Sequence, residues 1–357
     1  MIRTKPWPLL LDPGRAGARV VEHVETALVA FREHYHRYVR VQMEARGRAI
    51  TPLDPDPRVI LVPGLGLVAA GPDAKAARVA ADLYEHTIGV IRDAEVVGRY
   101  QALPELDLFD MEYWSLEQAK LGRAAPKAFQ GRVVLITGAA SGIGAATARA
   151  FAAEGAALYL LDLDPDALAA VAEPLGAGHA VVDLRRRDAV EAAVRCAVAR
   201  FGGLDGVVSN AGTAPQAPID RCPPEVLQDS LAINLLAHQW VASAVTAVLR
   251  AQGMGGFLLF NASKAAFNPG PGFGPYAVAK AGLVALMKQY AIEGGEAGIR
   301  SNAINADRIR TGLLDARDVE ARAQARGLSA DDYFRSNLLR REVTAEDVAG
   351  AFVALAK

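Results

Sequence analysis

The chain holds only two cysteines in 357 residues, Cys196 and Cys222, and no Cys-x-x-Cys pair. Neither a disulfide framework nor a cysteine-built zinc or redox site is expected, and a reducing cytoplasm is the expected compartment. Charge of one sign is not in excess either: 39 Lys and Arg face 40 Asp and Glu, a formal net charge of −1. Gripping nucleic acid or an anionic membrane surface by charge needs a basic surplus, so neither is an expected partner. The uncharged run from Val133 to Ala148 contains Thr137, Ser141 and three glycines. It is shorter than the ~20 apolar residues of a membrane helix. Arg3 and Lys5 precede an apolar stretch that Pro8 and Asp12 cut short, so no export signal is expected. Internal repeats and low-complexity tracts are absent, which excludes solenoids and disordered linkers.

A length of 357 residues makes two domains the expectation. The pattern changes near Arg123-Ala124-Ala125-Pro126-Lys127, dividing 1–125 from 126–357. In the first part, Ala18 to Glu44 carries Val20, Val24, Ala27, Leu28 and Phe31 at helical spacing, closed by Pro52, Pro55 and Pro57. A strand at Val59 to Val62 follows, then a Pro72-Asp73 helix start, an apolar-periodic run from Ala74 to Val97, and a third helix around Asp110 to Leu121. The second part places apolar runs at Val133 to Thr137, Ala157 to Leu161, Gly178 to Val182, Gly206 to Ser209, Gly256 to Asn261 and Arg300 to Asn305, with helical stretches between. Such alternation predicts an α/β fold with a doubly wound parallel sheet, preceded by a smaller, mostly helical α/β segment.

Directly after the first of these strands comes Gly138-Ala139-Ala140-Ser141-Gly142-Ile143-Gly144, opening an alanine-rich helix. A tight turn, close approach of backbone to a pyrophosphate and tight helix packing all need residues without bulk, and the helix N-terminus supplies amide donors. The next strand ends at Asp162, eighteen positions past Gly144. A carboxylate there accepts from ribose hydroxyls and repels a 2′-phosphate, which favours NAD over NADP. Asp164, followed by Pro165, fits a helix cap better. Tyr276 and Lys280 are four apart and share a helix face, where an ammonium group would favour the phenolate and make the tyrosine a general acid/base.

The glycine turn, Ser209-Asn210-Ala211-Gly212 and Tyr276-Ala277-Val278-Ala279-Lys280 together resemble the short-chain dehydrogenase/reductase family over about residues 128 to 357. The resemblance implies a Rossmann-type sheet with Asp183 and Leu184 flanking the adenine, and Asn210, Ala211 and Gly212 as the floor beneath the cofactor. It also implies a catalytic set of Asn234, Ser263, Tyr276 and Lys280, and a Thr311 contact to the nicotinamide. Ser263 would orient the substrate oxygen, Tyr276 exchange its proton, and Lys280 hold the nicotinamide ribose. Two features depart from the family pattern. Asn305-Ala306-Asp307-Arg308-Ile309-Arg310 stands where the family has Pro-Gly, leaving Arg308 and Arg310 either solvated or paired with an anionic substrate group. The sequence ends at Ala356-Lys357 without the family's last strand, so a shortened sheet is expected and a homo-oligomer is only one option.

Pro57 to Gly66 and Met111 to Lys120 resemble the end of the aldolase half in bifunctional rhamnulose-1-phosphate aldolase/lactaldehyde dehydrogenase fusions. A class II aldolase holds its metal with several histidines. Here the one close pair is His34-Tyr35-His36, whose members diverge on a helix, and His23, His86, His179 and His238 are scattered. No metal site and no aldolase reaction are expected. The expected function is NAD-dependent oxidation of lactaldehyde or a related small hydroxy-aldehyde in deoxysugar breakdown. The alternatives are a sugar-alcohol or sugar-phosphate dehydrogenase, a metal-dependent aldolase, or a non-catalytic NAD-binding protein.

Overall fold

A computed structural model describes residues 2–12, 14, 20–119, 125–313 and 316–357. The chain forms two compact units, Met1–Pro126 and Lys127–Lys357. Ala18, Leu121, Arg123 and Ala124, where helix ends and the boundary are expected, lie outside the described residues.

The first unit contains β1 (Leu9–Leu10), α1 (Val20–Arg46), β2 (Val59–Val62), β3 (Gly66–Ala69), α2 (Ala74–Val97), α3 (Glu105–Glu112) and α4 (Ser115–Ala119). Asp73 caps α2 by accepting the Ala76 N–H at 2.8 Å. Sequence reading misses β3, which pairs antiparallel with β2 across a tight turn, Val62 opposite Gly66. The single helix expected around Asp110 to Leu121 is instead two, because Tyr113 leaves helical geometry (φ −104, ψ 15). Its ring packs on Phe109 and its hydroxyl bonds that of Tyr35 at 2.8 Å, in a core with Tyr38 and Val39. Buried Glu112 accepts from Tyr35 (3.0 Å) and Tyr38 (3.4 Å), with the Lys5 ammonium 3.9 Å away. His34 and His36 are exposed on either side of buried Tyr35, and His34 packs edge-on against Trp7.

The second unit alternates β4 (Val133–Thr137), α5 (Gly142–Ala153), β5 (Ala157–Asp162), α6 (Pro165–Leu175), β6 (Gly178–Val181), α7 (Arg187–Phe201) and β7 (Gly206–Ser209). It continues through α8 (Pro224–Leu231), α9 (Ala237–Gln252), β8 (Gly256–Asn261), α10 (Gly274–Gly294), β9 (Ile299–Ile304), α11 (Ala316–Gln324), α12 (Ala330–Arg335) and α13 (Ala345–Ala356). The strand order is β6-β5-β4-β7-β8-β9, all parallel, so the winding reverses between β4 and β7. Ligands of doubly wound sheets bind beyond the carboxyl ends of the strands at such a reversal.

Alternate residues of a strand feed opposite faces. Leu135 joins a core with Val241, Val245, Leu249 and Leu283, while Val134 and Ile136 join Phe151, Leu168 and Phe352 on the other side. The stretch Pro224–Gln252 is long and apolar enough to cross a membrane by length and composition. In this unit it is α8 and α9, and Val241, Ala242, Val245 and Leu249 form its buried stripe. A capping box between Thr344 and Asp347 starts α13, and Arg300 of β9 donates to the Leu355 and Ala356 carbonyls at its end.

Candidate active site

The turn between β4 and α5 is built for close approach. Gly138 is left-handed (φ +63), and a Cβ there would lie 2.8 Å from the Ala211 Cα. A Cβ on Gly144 would lie 1.8 Å from the Gly138 carbonyl oxygen, so the first turn of α5 rests directly on the loop. Ser141 is the N-cap residue of α5 but makes no side-chain cap bond, which leaves the N-terminal amides of the helix for a ligand. A Cβ on Gly142 would come within 3.0 Å of the Thr311 Cγ2, which places Thr311 against this turn.

Asn210 braces the loop rather than merely lying beneath it. Its Nδ2 donates to the carbonyls of Thr137 and Gly138, each at 3.1 Å, and its Oδ1 accepts from Asn261 Nδ2 at 2.8 Å. The Thr137 hydroxyl accepts from the Asn210 and Ala211 amides at 2.9 and 3.1 Å. Sequence reading assigns no role to Thr137 or Asn261. The available signal is that each is the polar last residue of an otherwise apolar strand.

Asp162 ends β5, with Oδ2 accepting from Ala140 N–H (2.9 Å) and Oδ1 from Leu163 (2.7 Å) and Asp164 (3.2 Å). An ionised carboxylate offers about four acceptor positions, so this one retains capacity for a ribose hydroxyl. Asp164 is the cap, accepting from Asp166 and Ala167. Asp183 forms a forked pair with Arg185, which holds its carboxyl below the ordinary range, and Leu184 is buried beside it.

Tyr276 and Lys280 lie buried on α10, with the Lys280 Nζ 5.8 Å from the Tyr276 ring centroid. That ammonium donates to the Asn261 carbonyl at 2.7 Å. Burial pulls the Lys280 pKa down to about 7. Burial also pushes Tyr276 above its ordinary value, against an opposing hydrogen bond from Ser263. This corrects the expectation that Lys280 lowers the tyrosine: in the free chain desolvation dominates both groups. The Ser263 hydroxyl accepts from Ala265 N–H at 3.2 Å and starts the short turn Lys264–Ala266.

Asn234 occupies a π-helical turn, Ala232–Leu236, between α8 and α9. Such turns recur at functional sites. Its Oδ1 accepts from Thr213 N–H (3.2 Å), and a Cβ on Gly212 would come within 2.7 Å of that oxygen and 3.6 Å of Lys280 Nζ. Beneath this floor the Nδ1 of fully buried His238 bonds Ser209 Oγ at 2.7 Å, and burial keeps the imidazole pKa well below ordinary.

A cleft of about 730 Å³ gathers most of the expected set, running from Asp162, Asp183 and Leu184 past Gly138, Ser141, Gly142 and Ile143 to the reacting end. Asn210, Ala211, Gly212, Asn234, Tyr276, Lys280 and Thr311 complete its wall. Gly144 lies under the turn instead of in the wall, and Ser263 lines an adjoining cavity that shares Tyr276. An elongated cleft with uncapped helix amides midway and an acceptor carboxylate at one end fits a dinucleotide.

Residues 138–357 match the family model described as Enoyl-(Acyl carrier protein) reductase. The chain belongs to the short-chain dehydrogenase/reductase family. Residues 1–121 match the model described as Aldolase class II, second domain, so this short-chain dehydrogenase/reductase follows an aldolase-type segment. An uncharacterized oxidoreductase of Bacillus subtilis, YuxG, is 32% identical over 98% of this chain and 53% of its own length. The chain thus spans about half of that relative. Among solved structures, levodione reductase is 31% identical with a TM-score of 0.60, over 64% of this chain and 92% of its own. NAD+-bound xylitol dehydrogenase is 29% identical with a TM-score of 0.60, over 65% and 94%.

Proposed function

We propose that the protein is an NAD-dependent oxidoreductase acting on a small hydroxy compound or its carbonyl partner, with lactaldehyde or a related hydroxy-aldehyde of deoxysugar breakdown as the leading substrate. One observation carries the reading: Tyr276, Lys280 and Asn234 converge at one end of a cleft whose other end holds the Asp162 carboxylate, with Ser263 beside Tyr276. The glycine turn and the α5 N-terminus would hold the pyrophosphate, Asp162 the adenosine ribose, and Lys280 the nicotinamide ribose. When bound, NAD supplies the hydride acceptor.

The protein's own groups manage the substrate oxygen. Ser263 donates a hydrogen bond that fixes it, and Tyr276 exchanges its proton. Lys280, tethered to the Asn261 carbonyl, brings positive charge near the phenol when protonated. Asn234 shapes the floor beneath through Thr213 and Gly212. An aldehyde enters as its hydrate, which presents an alcohol-like oxygen to the same pair. Likeness to NAD+-bound xylitol dehydrogenase supports NAD and, as a second reading, a small polyol or sugar-phosphate substrate. The substrate is a small molecule, without nucleic acid or membrane, and the compartment is the cytoplasm.

The test is NADH formation by the purified chain, comparing NAD with NADP over lactaldehyde, small polyols and sugar phosphates. Tyr276→Phe should lower turnover by at least ~100-fold while retaining NAD binding, the scale of a lost general acid/base. Unchanged turnover in that variant would end the proposal.

A further inference from the structure

A second cavity, of about 170 Å³, shares Tyr276, Ile143, Asn261 and Thr311 with the cleft and also contains Ser263. Its charge is one-sided: among the described residues four cations, Lys264, Arg308, Arg322 and Arg326, face a single carboxylate, Asp307. Asp307 is already shared by Lys264 (3.8 Å) and Arg308 (3.7 Å). Arg322 and Arg326 have no carboxylate partner among the described residues.

These guanidiniums are held in place without being neutralised. Arg322 lies 3.8 Å over the Phe273 ring, itself 5.8 Å from the Tyr276 ring, and donates to Gln216 Oε1 at 2.5 Å. Its Nε is buried and has no hydrogen-bond partner among the described residues. Arg308 and Arg326 both sit over Tyr333, at 5.0 and 5.6 Å. The Arg308 backbone is left-handed (φ +51), a strained choice for a residue with a side chain, and its Nη1 is anchored on the Ser336 carbonyl at 3.1 Å. Arg310, by contrast, is spent on Glu342 and Asp331 and stacks on Phe334. A buried guanidinium N–H without an acceptor is costly, and an anionic oxygen is its strongest partner.

We infer that this cavity takes the anionic end of the substrate, a phosphate or carboxylate on a small hydroxy compound whose reacting carbon meets Tyr276 and Ser263. The inference rests on the proposed hydride-transfer reading and shifts its substrate class from neutral lactaldehyde toward the hydroxy-phosphate and hydroxy-carboxylate alternatives. Arg322 and Arg326 bind the anion, Arg308 lines its far wall, and the aromatic rings limit its size.

The experiment titrates the full chain calorimetrically with inorganic phosphate and, separately, with glycolate, in the wild type, Arg322→Leu, Arg322→Lys and Arg326→Leu. At least one anion binds the wild type, Arg322→Leu weakens it about 10- to 100-fold, and Arg322→Lys loses less. The tighter anion tells phosphate from carboxylate. Phosphate held at the glycine turn persists in Arg322→Leu and is told apart in that way. The inference is overturned if neither anion binds the wild type, or if every anion that binds the wild type binds Arg322→Leu as tightly. Should that variant not fold, undiminished binding by Arg326→Leu overturns it.

Turnover separates the two proposals. NAD-linked turnover of neutral substrates that needs Tyr276, with anion binding that ignores the arginines, removes the anion site alone. Arginine-dependent anion binding without NAD-linked turnover of any hydroxy compound, neutral or anionic, removes the hydride-transfer reading alone.

Discussion

Gly144→Ala tests the central packing feature of the cofactor turn. The added Cβ would lie 1.8 Å from the Gly138 carbonyl oxygen and 2.7 Å from Asn210 Nδ2, where real Cβ atoms essentially never come within 3.0 Å. Backbone therefore has to move, and the start of α5 separates from the turn that Asn210 braces through Thr137 and Gly138. Overpacking of this kind costs ~1–3 kcal/mol, and two weakened neutral hydrogen bonds add ~1 kcal/mol each. The helix propensity of alanine over glycine returns only ~1 kcal/mol.

The net loss, about 2–4 kcal/mol, corresponds to a fall in Tm of roughly 4–16 °C for a unit of this size. Gly176→Ala is the control. Unlike Gly144, that glycine is left-handed (φ +61), and it has no described atom within 4 Å of its Cβ, so only the conformational cost of ~1–2 kcal/mol applies. Urea unfolding gives the stabilities, and calorimetric titration with NAD reads the turn itself. Gly144→Ala should lose NAD affinity and Gly176→Ala should retain it. Equal stability and equal NAD affinity in the two variants would refute the close-packing argument.

Two further outcomes are expected. Asp162→Ala should weaken NAD by about 10- to 100-fold, the range of charge-assisted hydrogen bonds, and narrow the gap to NADP; dissociation constants for both cofactors that match the wild type would show the carboxylate to be a turn brace only. His238 gives a pH signature: the unfolded chain protonates it near 6.5, whereas burial keeps it neutral in the fold. Below pH 6.5 the unfolded state therefore binds more protons and stability falls with pH, by up to about 1.4 kcal/mol per unit, while above that pH its contribution is flat. Urea midpoints at pH 7.5, 6.5 and 5.5 should fall more steeply in the wild type than in His238→Gln, and parallel slopes would contradict a neutral buried imidazole.

What was legible in the amino-acid sequence is what local spacing encodes. Buried parallel strands are short apolar runs, so β4, β7 and β8 lie where they are expected, and the turn, Asp162 and the Tyr276/Lys280 pair follow from offsets along one element. The brace around the turn was not legible, because Thr137, Asn210 and Asn261 come from three different strand ends that only the parallel sheet brings together. The short hairpin strand β3 was hidden by the glycines that permit its turn. The arginine-lined cavity joins residues from the loop after β9 with α11 and the loop that follows it, and no period in the sequence announces that Arg322 lands on Phe273.

The expectation about Tyr276 failed for an instructive reason. Spacing of four on a helix correctly brings an amine near a phenol, and proximity alone argues for a lowered tyrosine pKa. Both side chains, however, are buried on α10, and the Lys280 ammonium is held against the Asn261 carbonyl at the end of β8. Removing water penalises the charged form of each group, so lysine moves down to about 7 and tyrosine moves up. With the Lys280 Nζ 5.8 Å from the ring centroid, the desolvation of the phenolate outweighs what its neighbours return. Helix spacing specifies which groups meet but carries no information about how dry their meeting place is, and in the free chain dryness sets the direction of both shifts.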